Sequence, residues 1–165
     1  MEWTTQLDAV WATAIAMVLR GLVGVERELK DRPAGFRTHM LVAGAASLLV
    51  GIGRLALDDP AVLNSMPSHL RIDPLRLVEA VIAGVAFIGA GTIFGRRDGD
   101  TVAGITTAAS LLMVAVIGIA AGFHYYVLAA TATVLTLGVL TLLNLCDRWL
   151  RRGRKPGSRR GKESD

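Results

Sequence analysis

One arginine of this sequence lies inside a long apolar stretch, where a charge needs a partner. Arg20 is seven residues before the end of the stretch 9–27, which in a helix places it about 10 Å from that end. Exposure to lipid at that depth is costly, so the side chain is expected to face the interior of a helix bundle. Thr106, Thr107 and Ser110, at a similar depth in a later stretch, are candidate acceptors for its hydrogen bonds. Arg20 is therefore a candidate for either a functional site or a structural anchor.

A second arginine lies on the same helical face, within a densely charged segment. Arg27 follows Arg20 by seven residues, and a face with two positive charges repels a divalent cation unless acidic neighbours offset it. This argues against a simple Mg²⁺ path along the first helix. The segment 26–39 carries both signs of charge and a Pro-Ala-Gly turn, which favours an ion-pair network at the membrane surface over a solvated loop.

An acidic residue near the opposite membrane surface is the next candidate. Glu79 and Arg54 lie at the same predicted depth, so an ion pair between them is the favoured interpretation and cation binding by Glu79 the alternative. A single carboxylate provides few ligands for Mg²⁺, which is usually bound by one or two carboxylates together with waters or phosphate. Cys146 is the only cysteine and the three histidines are scattered, so we predict no metal site and no cofactor. No motif for an enzyme is present, so no catalytic activity is predicted.

A stripe of small residues runs along the third apolar stretch. Ala80, Gly84, Gly91 and Gly95 recur at spacings of four, seven and four, which keeps them on one face of a helix. Such a face lets another helix approach closely, within the chain or between copies. A pore or gate helix is the alternative interpretation. Gly89 falls in the same glycine-rich run and completes the helix-packing candidates.

The arrangement of apolar stretches predicts the fold class. Five are long enough to cross a bilayer, at 9–27, 38–57, 77–95, 102–122 and 124–146. Together with a hydrophobic content of 52% and a mean hydropathy of +0.47, they predict an all-α membrane helix bundle over residues 1–147. A four-span bundle, with one of the last two stretches weak or re-entrant, is the alternative. The first residues lack Lys and Arg, so no cleaved signal peptide is predicted.

The distribution of positive charge predicts the orientation. With the N-terminus outside, fourteen of the eighteen Lys and Arg residues fall on the inner side and three on the outer side. The positive-inside rule therefore predicts an N-out, C-in topology. Residues 148–165 hold eight of these bases with little apolar content, which predicts a disordered cytoplasmic tail. Beside an apolar stretch, this charge favours contact with lipid over nucleic acid.

Four motifs resemble the MgtC/SapB family of bacterial inner-membrane proteins. They are GLVGVERE at 21–28, RPAGFRTHMLV at 32–42, GVAFIGAGTI at 84–93 and VAGITTAA at 102–109. The resemblance implies a multi-span domain with its N-terminus outside and a link to growth under Mg²⁺ limitation and, in pathogens, to survival in host cells. Many members carry a soluble ACT-like C-terminal domain, whereas this chain is expected to be a short form without it. The positions carried over are Glu26, Arg27, Arg32, Arg37, Thr38, His39, Gly89, Gly91, Thr106 and Thr107.

These observations predict a multi-pass protein of the bacterial inner membrane that regulates other membrane proteins. Its expected partners are the lipid bilayer and another inner-membrane protein or complex, reached through the glycine face, with self-association as a further hypothesis. A transporter or channel for Mg²⁺ or another ion is the alternative, and a lipid-organising scaffold acting through the basic tail is a third. Arg20 and Glu79 are the residues on which ion flux would depend.

Overall fold

The protein is built from helices that follow the apolar stretches. The computed structural model describes residues 3–29, 34–65, 73–94, 97–98, 101–102 and 104–153. Its helices within these ranges are α1 Trp3–Glu28, α2 Phe36–Asp58, α3 Pro60–Ser65, α4 Pro74–Phe94, α5 Ile105–Gly122 and α6 Tyr126–Gly153. Two two-residue strands, β1 Arg97–Asp98 and β2 Thr101–Val102, pair antiparallel between α4 and α5. The predicted all-α membrane helix bundle is confirmed.

Four helices are long and apolar enough to cross a membrane: α1, α2, α4 and α5. They correspond to the first four predicted spans. The fifth predicted span falls in α6, whose apolar part, Tyr126–Leu142, is shorter. Five spans and the N-out orientation therefore stay predictions.

Two segments differ from the sequence-based boundaries. The fourth span was expected from residue 102, but α5 begins at Ile105, because Gly104 before it adopts a left-handed conformation (φ 98°) that does not continue into a helix. Residues 148–153, expected in a disordered tail, belong to α6. The segment begins with Arg148, Trp149 and Leu150, and none of these residue types breaks a helix. The helix ends at Gly153. Residues 154–165 lie outside the described part of the chain.

Two Asp-Pro pairs, at 59–60 and 73–74, lie at the starts of α3 and α4. The Asp59 carboxylate accepts a hydrogen bond from the Ala61 backbone N–H at 2.9 Å. The Asp73 carboxylate does the same for the Leu75 N–H, also at 2.9 Å. In each case proline occupies the first helical position, where its missing N–H costs nothing.

Helix α5 is the centre of the bundle and contacts α1, α2, α4 and α6. Leu111, Val114 and Ala115 are fully buried on it. Close approach to α2 depends on glycine at two positions. A Cβ on Gly118 would collide with the carbonyl oxygen of Ala43, and one on Gly122 would lie 2.7 Å from that of Ser47.

We expect Gly118→Ala to destabilise the bundle by about 1–3 kcal/mol, because the added methyl group must displace the backbone of α2. The measurement is far-UV circular dichroism of the detergent-solubilised protein during titration with a denaturing detergent. Gly138→Ala on α6 is the matched control, since a Cβ there has no neighbour within 4 Å. Equal midpoints for the two variants would contradict the packing of α5 on α2.

Candidate functional site

The buried face of α1 changes in character along its length. Its first half has small side chains, and its second half has two arginines. In chain order, the buried positions include Ala9, Ala12, Ala16, Arg20, Val23 and Arg27. Spacings of three and four residues keep them on one face toward α2 and α5. The same periodicity that packs the helix thus carries two positive charges into the bundle.

Arg27 is held by a polar residue of α5. Its Nη2 donates a hydrogen bond to the Thr107 Oγ1 at 2.7 Å, and both side chains are buried. Thr107 is in turn positioned by its own helix, because the Ser110 hydroxyl donates to its backbone carbonyl at 2.8 Å. This contact joins residues that are 80 positions apart and ties the ends of α1 and α5 together.

Arg20 is fully buried, but the structure shows no partner for it. Its Nε, Nη1 and Nη2 make no hydrogen bond within the described residues, and its relative exposure is 0%. The expected orientation toward the bundle interior is confirmed. None of the three expected acceptors binds it: Thr107 accepts from Arg27, the Ser110 hydroxyl makes a hydrogen bond within its own helix, and Thr106 is exposed. A buried charge without compensation is costly, which makes Arg20 the most unusual residue of the fold.

His39 of α2 completes the buried basic cluster, which we define as Arg20, Arg27 and His39. Its Nδ1 lies 2.9 Å from the Gly35 carbonyl oxygen, so Nδ1 is the donor of that hydrogen bond. Its Nε2 has no partner among the described residues. The charges of Arg27, Arg20 and Glu26 all act on the ring, which places these residues around it.

The electrostatics of this cluster are dominated by positive charge. Two guanidinium groups are buried, and Glu26, half-buried beside them, is the acidic group that acts on His39. A net positive interior raises the barrier to a divalent cation and favours a negatively charged group. Within the part of the chain that the structure describes, no group of three or more His, Cys, Asp or Glu could hold a metal ion.

The neighbouring inner loop is organised by Glu28. Its Oε2 accepts a hydrogen bond from the Phe36 N–H at 2.9 Å and so caps the start of α2. Arg37 is exposed and Thr38 half-buried, so neither joins the buried basic cluster. Arg32 lies outside the described residues. The ion-pair network predicted for this loop remains a prediction.

The small residues of α4 lie on two different faces. Gly84 and Gly91 are exposed, and a Cβ on either would have no neighbour within 4 Å. Gly89 is buried against α5, where a Cβ would lie 3.2 Å from that of Ala108. Gly89 therefore packs the bundle, whereas Gly84 and Gly91 face outward. Gly95 lies outside the described residues.

Arg54 takes a different partner from the expected Glu79. Arg54 donates from Nη1 to the Gly122 carbonyl at 3.2 Å and so satisfies the last turn of α5. Glu79 is exposed on α4, and the structure shows no ion pair between the two. No local sequence pattern predicts this contact between Arg54 and Gly122, because the two residues are 68 positions apart.

Arg54 also lines a small cavity at this end of the bundle, of about 60 Å³, together with Asp8, Asp58 and His124. His124 lies in the turn between α5 and α6. Partial burial and the charge of Arg54 lower the pKa of His124, while the Asp8 carboxylate acts in the opposite direction. Asp8 and Asp58 are both exposed, so this cluster is open to its surroundings.

The remaining predicted residue, Thr106, is exposed at the start of α5, one position from the buried Thr107. The structure thus brings together Arg20, Arg27, His39 and Thr107, with Glu26 beside them. It leaves Arg37, Thr106 and Glu79 at the surface. The functional roles of all these residues stay predictions.

These features define a class of protein: a polytopic helix bundle with buried arginines between its first, second and fifth helices. The MgtC family model matches residues 13–149, and the chain belongs to that family. The chain is 34% identical over 130 residues to the protein of Escherichia coli K12 named putative magnesium transporter YhiD, covering 79% of this chain and 58% of that protein. It is also 34% identical over 143 residues to Protein MgtC of Brucella abortus, covering 87% of this chain and 54% of that protein. A third relative, Protein SapB of Bacillus subtilis, is 34% identical over 128 residues, covering 76% of this chain and 52% of that protein.

The family membership confirms the resemblance found in the motifs. It establishes a multi-pass protein of the bacterial inner membrane. The chain spans about half the length of the relatives it matches. No solved structure matches this chain.

We expect opposite outcomes when the two buried arginines are replaced. Arg27→Met should destabilise the bundle by about 1–3 kcal/mol, because the contact with Thr107 is lost. Arg20→Met should leave stability unchanged or raise it, because the replaced charge has no hydrogen-bond partner among the described residues. Unfolding in denaturing detergent measures both, with Arg76→Met at the exposed start of α4 as the control. A loss for Arg20→Met as large as that for Arg27→Met would show that Arg20 has a counter-charge in the membrane.

Proposed function

We propose that this protein regulates another inner-membrane protein in magnesium homeostasis and contacts it through the outer face of α4. This outer face consists of Ala80, Gly84, Phe87 and Gly91, all of which are exposed. The single observation that supports the proposal is the open space over Gly84 and Gly91 on a helix apolar enough to span a membrane.

The physics of lipid favours such a face as a contact site. Apolar side chains gain little by leaving lipid for protein, so helices associate in a membrane mainly by close packing. Glycine and alanine allow two backbones to approach, and Phe87, which is 82% exposed, offers a large neighbouring surface. The opposite side of α4 is occupied by α5 through Gly89, so the outer face is the side that remains for a partner.

The interior of the bundle supports regulation over conduction of a divalent cation. Among the described residues, its buried charged side chains are Arg20 and Arg27, which repel Mg²⁺. Around them the packing is dense, since Ala16, Ala43 and Val114 have no exposed surface. A path for a hydrated cation would have to avoid this centre.

Transport of Mg²⁺ or another ion is the second candidate function. It is favoured by the name of the Escherichia coli relative, putative magnesium transporter YhiD. Under this hypothesis Glu79 and Arg20 would influence the ion path, the first from the surface of α4 and the second from the bundle interior.

We expect Gly91→Leu to abolish co-purification of the partner protein from cross-linked inner membranes, because the larger side chain separates the two backbones. The measurement is affinity purification of the tagged protein followed by mass spectrometry of the captured proteins. Gly138→Leu is the matched control, because Gly138 is also an exposed helical glycine with open space, but on α6.

Both variants should insert in the membrane to the same extent as the unchanged protein. Retention of all captured proteins by Gly91→Leu would contradict the proposal. Capture of this chain alone, lost in Gly91→Leu, would identify the outer face of α4 as a contact between copies.

We expect no Mg²⁺ flux above that of empty vesicles when the purified protein is reconstituted in liposomes, because the bundle interior is positively charged. A fluorescent magnesium indicator trapped inside the vesicles provides the measurement. Flux that disappears in Glu79→Gln or Arg20→Met would instead establish the transporter hypothesis.

A further inference from the structure

Two buried side chains, Arg20 and His39, have hydrogen-bonding atoms that the proposed function does not use. Both residues have a relative exposure of 0%. The Arg20 Nε, Nη1 and Nη2 and the His39 Nε2 are buried, and none of these atoms has a hydrogen-bond partner among the described residues. Unpaired polar atoms in a protein interior are costly, so these atoms point to a ligand.

The packing of α1 on α2 places the two side chains at nearly the same level of the bundle. A Cβ on Gly21 would lie 3.6 Å from the Met40 side chain, and one on Gly51 would lie 3.0 Å from the Ala9 Cβ. The two helices therefore run antiparallel, with residue 21 level with residue 40. The buried arginine and histidine each precede one member of this pair, so their levels differ by about 3 Å. Consistent with this, the arginine charge acts on the His39 ring.

The region between the two side chains is enclosed on both sides. Toward the start of α1, Ala16, Ala43 and Val114 belong to one buried cluster and have no exposed surface. Toward the end of α1, the hydrogen bond from Arg27 to Thr107 joins α1 to α5. A group attached to a lipid or to a partner protein cannot reach such a place, whereas a small free ion can enter when the helix ends open locally.

The charge of the region favours an anion. Among the described residues, the buried charged side chains are Arg20 and Arg27, and the half-buried Glu26 is the acidic group beside them. One positive charge is therefore in excess, which a monovalent anion would balance. Helices α2 and α5 both begin at this end of the bundle, and the partial positive charge of a helix N-terminus acts in the same direction.

The hydrogen-bonding atoms indicate which kind of anion fits. A guanidinium group only donates, and its planar fork matches two oxygens of a planar oxyanion. The His39 Nδ1 donates to the Gly35 carbonyl at 2.9 Å, so the Nε2 of the uncharged ring is an acceptor. The ligand should therefore combine two acceptor oxygens with one O–H. Bicarbonate is a small planar anion with this arrangement, whereas chloride or nitrate would leave Nε2 unpaired.

We propose that the buried basic cluster binds bicarbonate between Arg20 and His39. Two oxygens of the anion accept hydrogen bonds from the guanidinium group, and its O–H donates to the His39 Nε2. No proton is transferred and no covalent bond forms. The bound anion joins α1 to α2 next to the Arg27 contact that joins α1 to α5. The site is separate from the outer face of α4, so its test and the co-purification test succeed or fail independently.

The first test measures binding of carbon-14-labelled bicarbonate to the purified full chain in detergent, in a closed vessel at mildly alkaline pH. We expect saturable binding of one ion per chain. Arg20→Met should abolish it, whereas Arg76→Met, at the exposed start of α4, should retain it. Added bicarbonate should also stabilise the unchanged protein against denaturing detergent and leave Arg20→Met unaffected.

Two results of this measurement would overturn the proposal. Absence of saturable binding by the unchanged chain would leave bound water as the partner of Arg20. Equal binding by the unchanged chain and Arg20→Met would place the ion elsewhere.

A second test uses nitrate, which has the charge and planar shape of bicarbonate but no O–H. Displacement of the label should need about tenfold more nitrate than unlabelled bicarbonate, since nitrate leaves the buried Nε2 unpaired; this corresponds to about 1.4 kcal/mol. His39→Gln, whose amide oxygen can replace Nε2 as acceptor, should keep this preference. His39→Asn, whose amide can replace only the Nδ1 donor to Gly35, should bind the two anions equally.

This pair of variants keeps Arg20, so the proposal stays testable if Arg20→Met does not fold. Equal displacement by nitrate and bicarbonate in the unchanged protein would contradict the proposed hydrogen bond to His39, as would a full preference in His39→Asn. Displacement by phosphate but not by unlabelled bicarbonate would contradict the choice of ligand.

Discussion

Burial of two guanidinium groups in the bundle is the constraint on which the arrangement of α1, α2 and α5 depends. Lipid cannot solvate an arginine at depth, so each one must face other helices. Arg27 meets this requirement through the Thr107 hydroxyl, which connects α1 to α5. Arg20 is enclosed by the same helices without a hydrogen bond from the described residues. The small side chains of α1 and the glycines of α5 allow the helices to close around both.

The positive interior is the physical argument for proposing a regulator rather than a transporter of Mg²⁺. A pathway for Mg²⁺ needs oxygen ligands and negative charge, whereas this centre offers arginine, histidine and a single acidic neighbour. A protein with a densely packed, positively charged interior is better suited to act through contacts at its surface than to conduct a divalent cation. The outer face of α4 is such a surface, since it leaves open space for another helix.

Membership of the MgtC family assigns this architecture to a family of bacterial inner-membrane proteins. The matched region includes all three residues of the buried basic cluster. The motifs that carry the resemblance also supply the structural contacts: one holds Arg27, another His39, and a third Thr107. These short motifs thus contain residues that lie close together in the fold, although they are far apart along the chain.

Apolar length and charge placement in the sequence were sufficient to predict the helices, because lipid requires each backbone polar group to be satisfied within its own span. Burial of Arg20 followed from the same requirement. Only the tertiary structure decided that Thr107 binds Arg27, that Arg54 binds Gly122, and that Gly89 faces inward while Gly84 and Gly91 face outward. These outcomes depend on how helices rotate and cross, and periodicity within one helix carries no information about which neighbour it will meet.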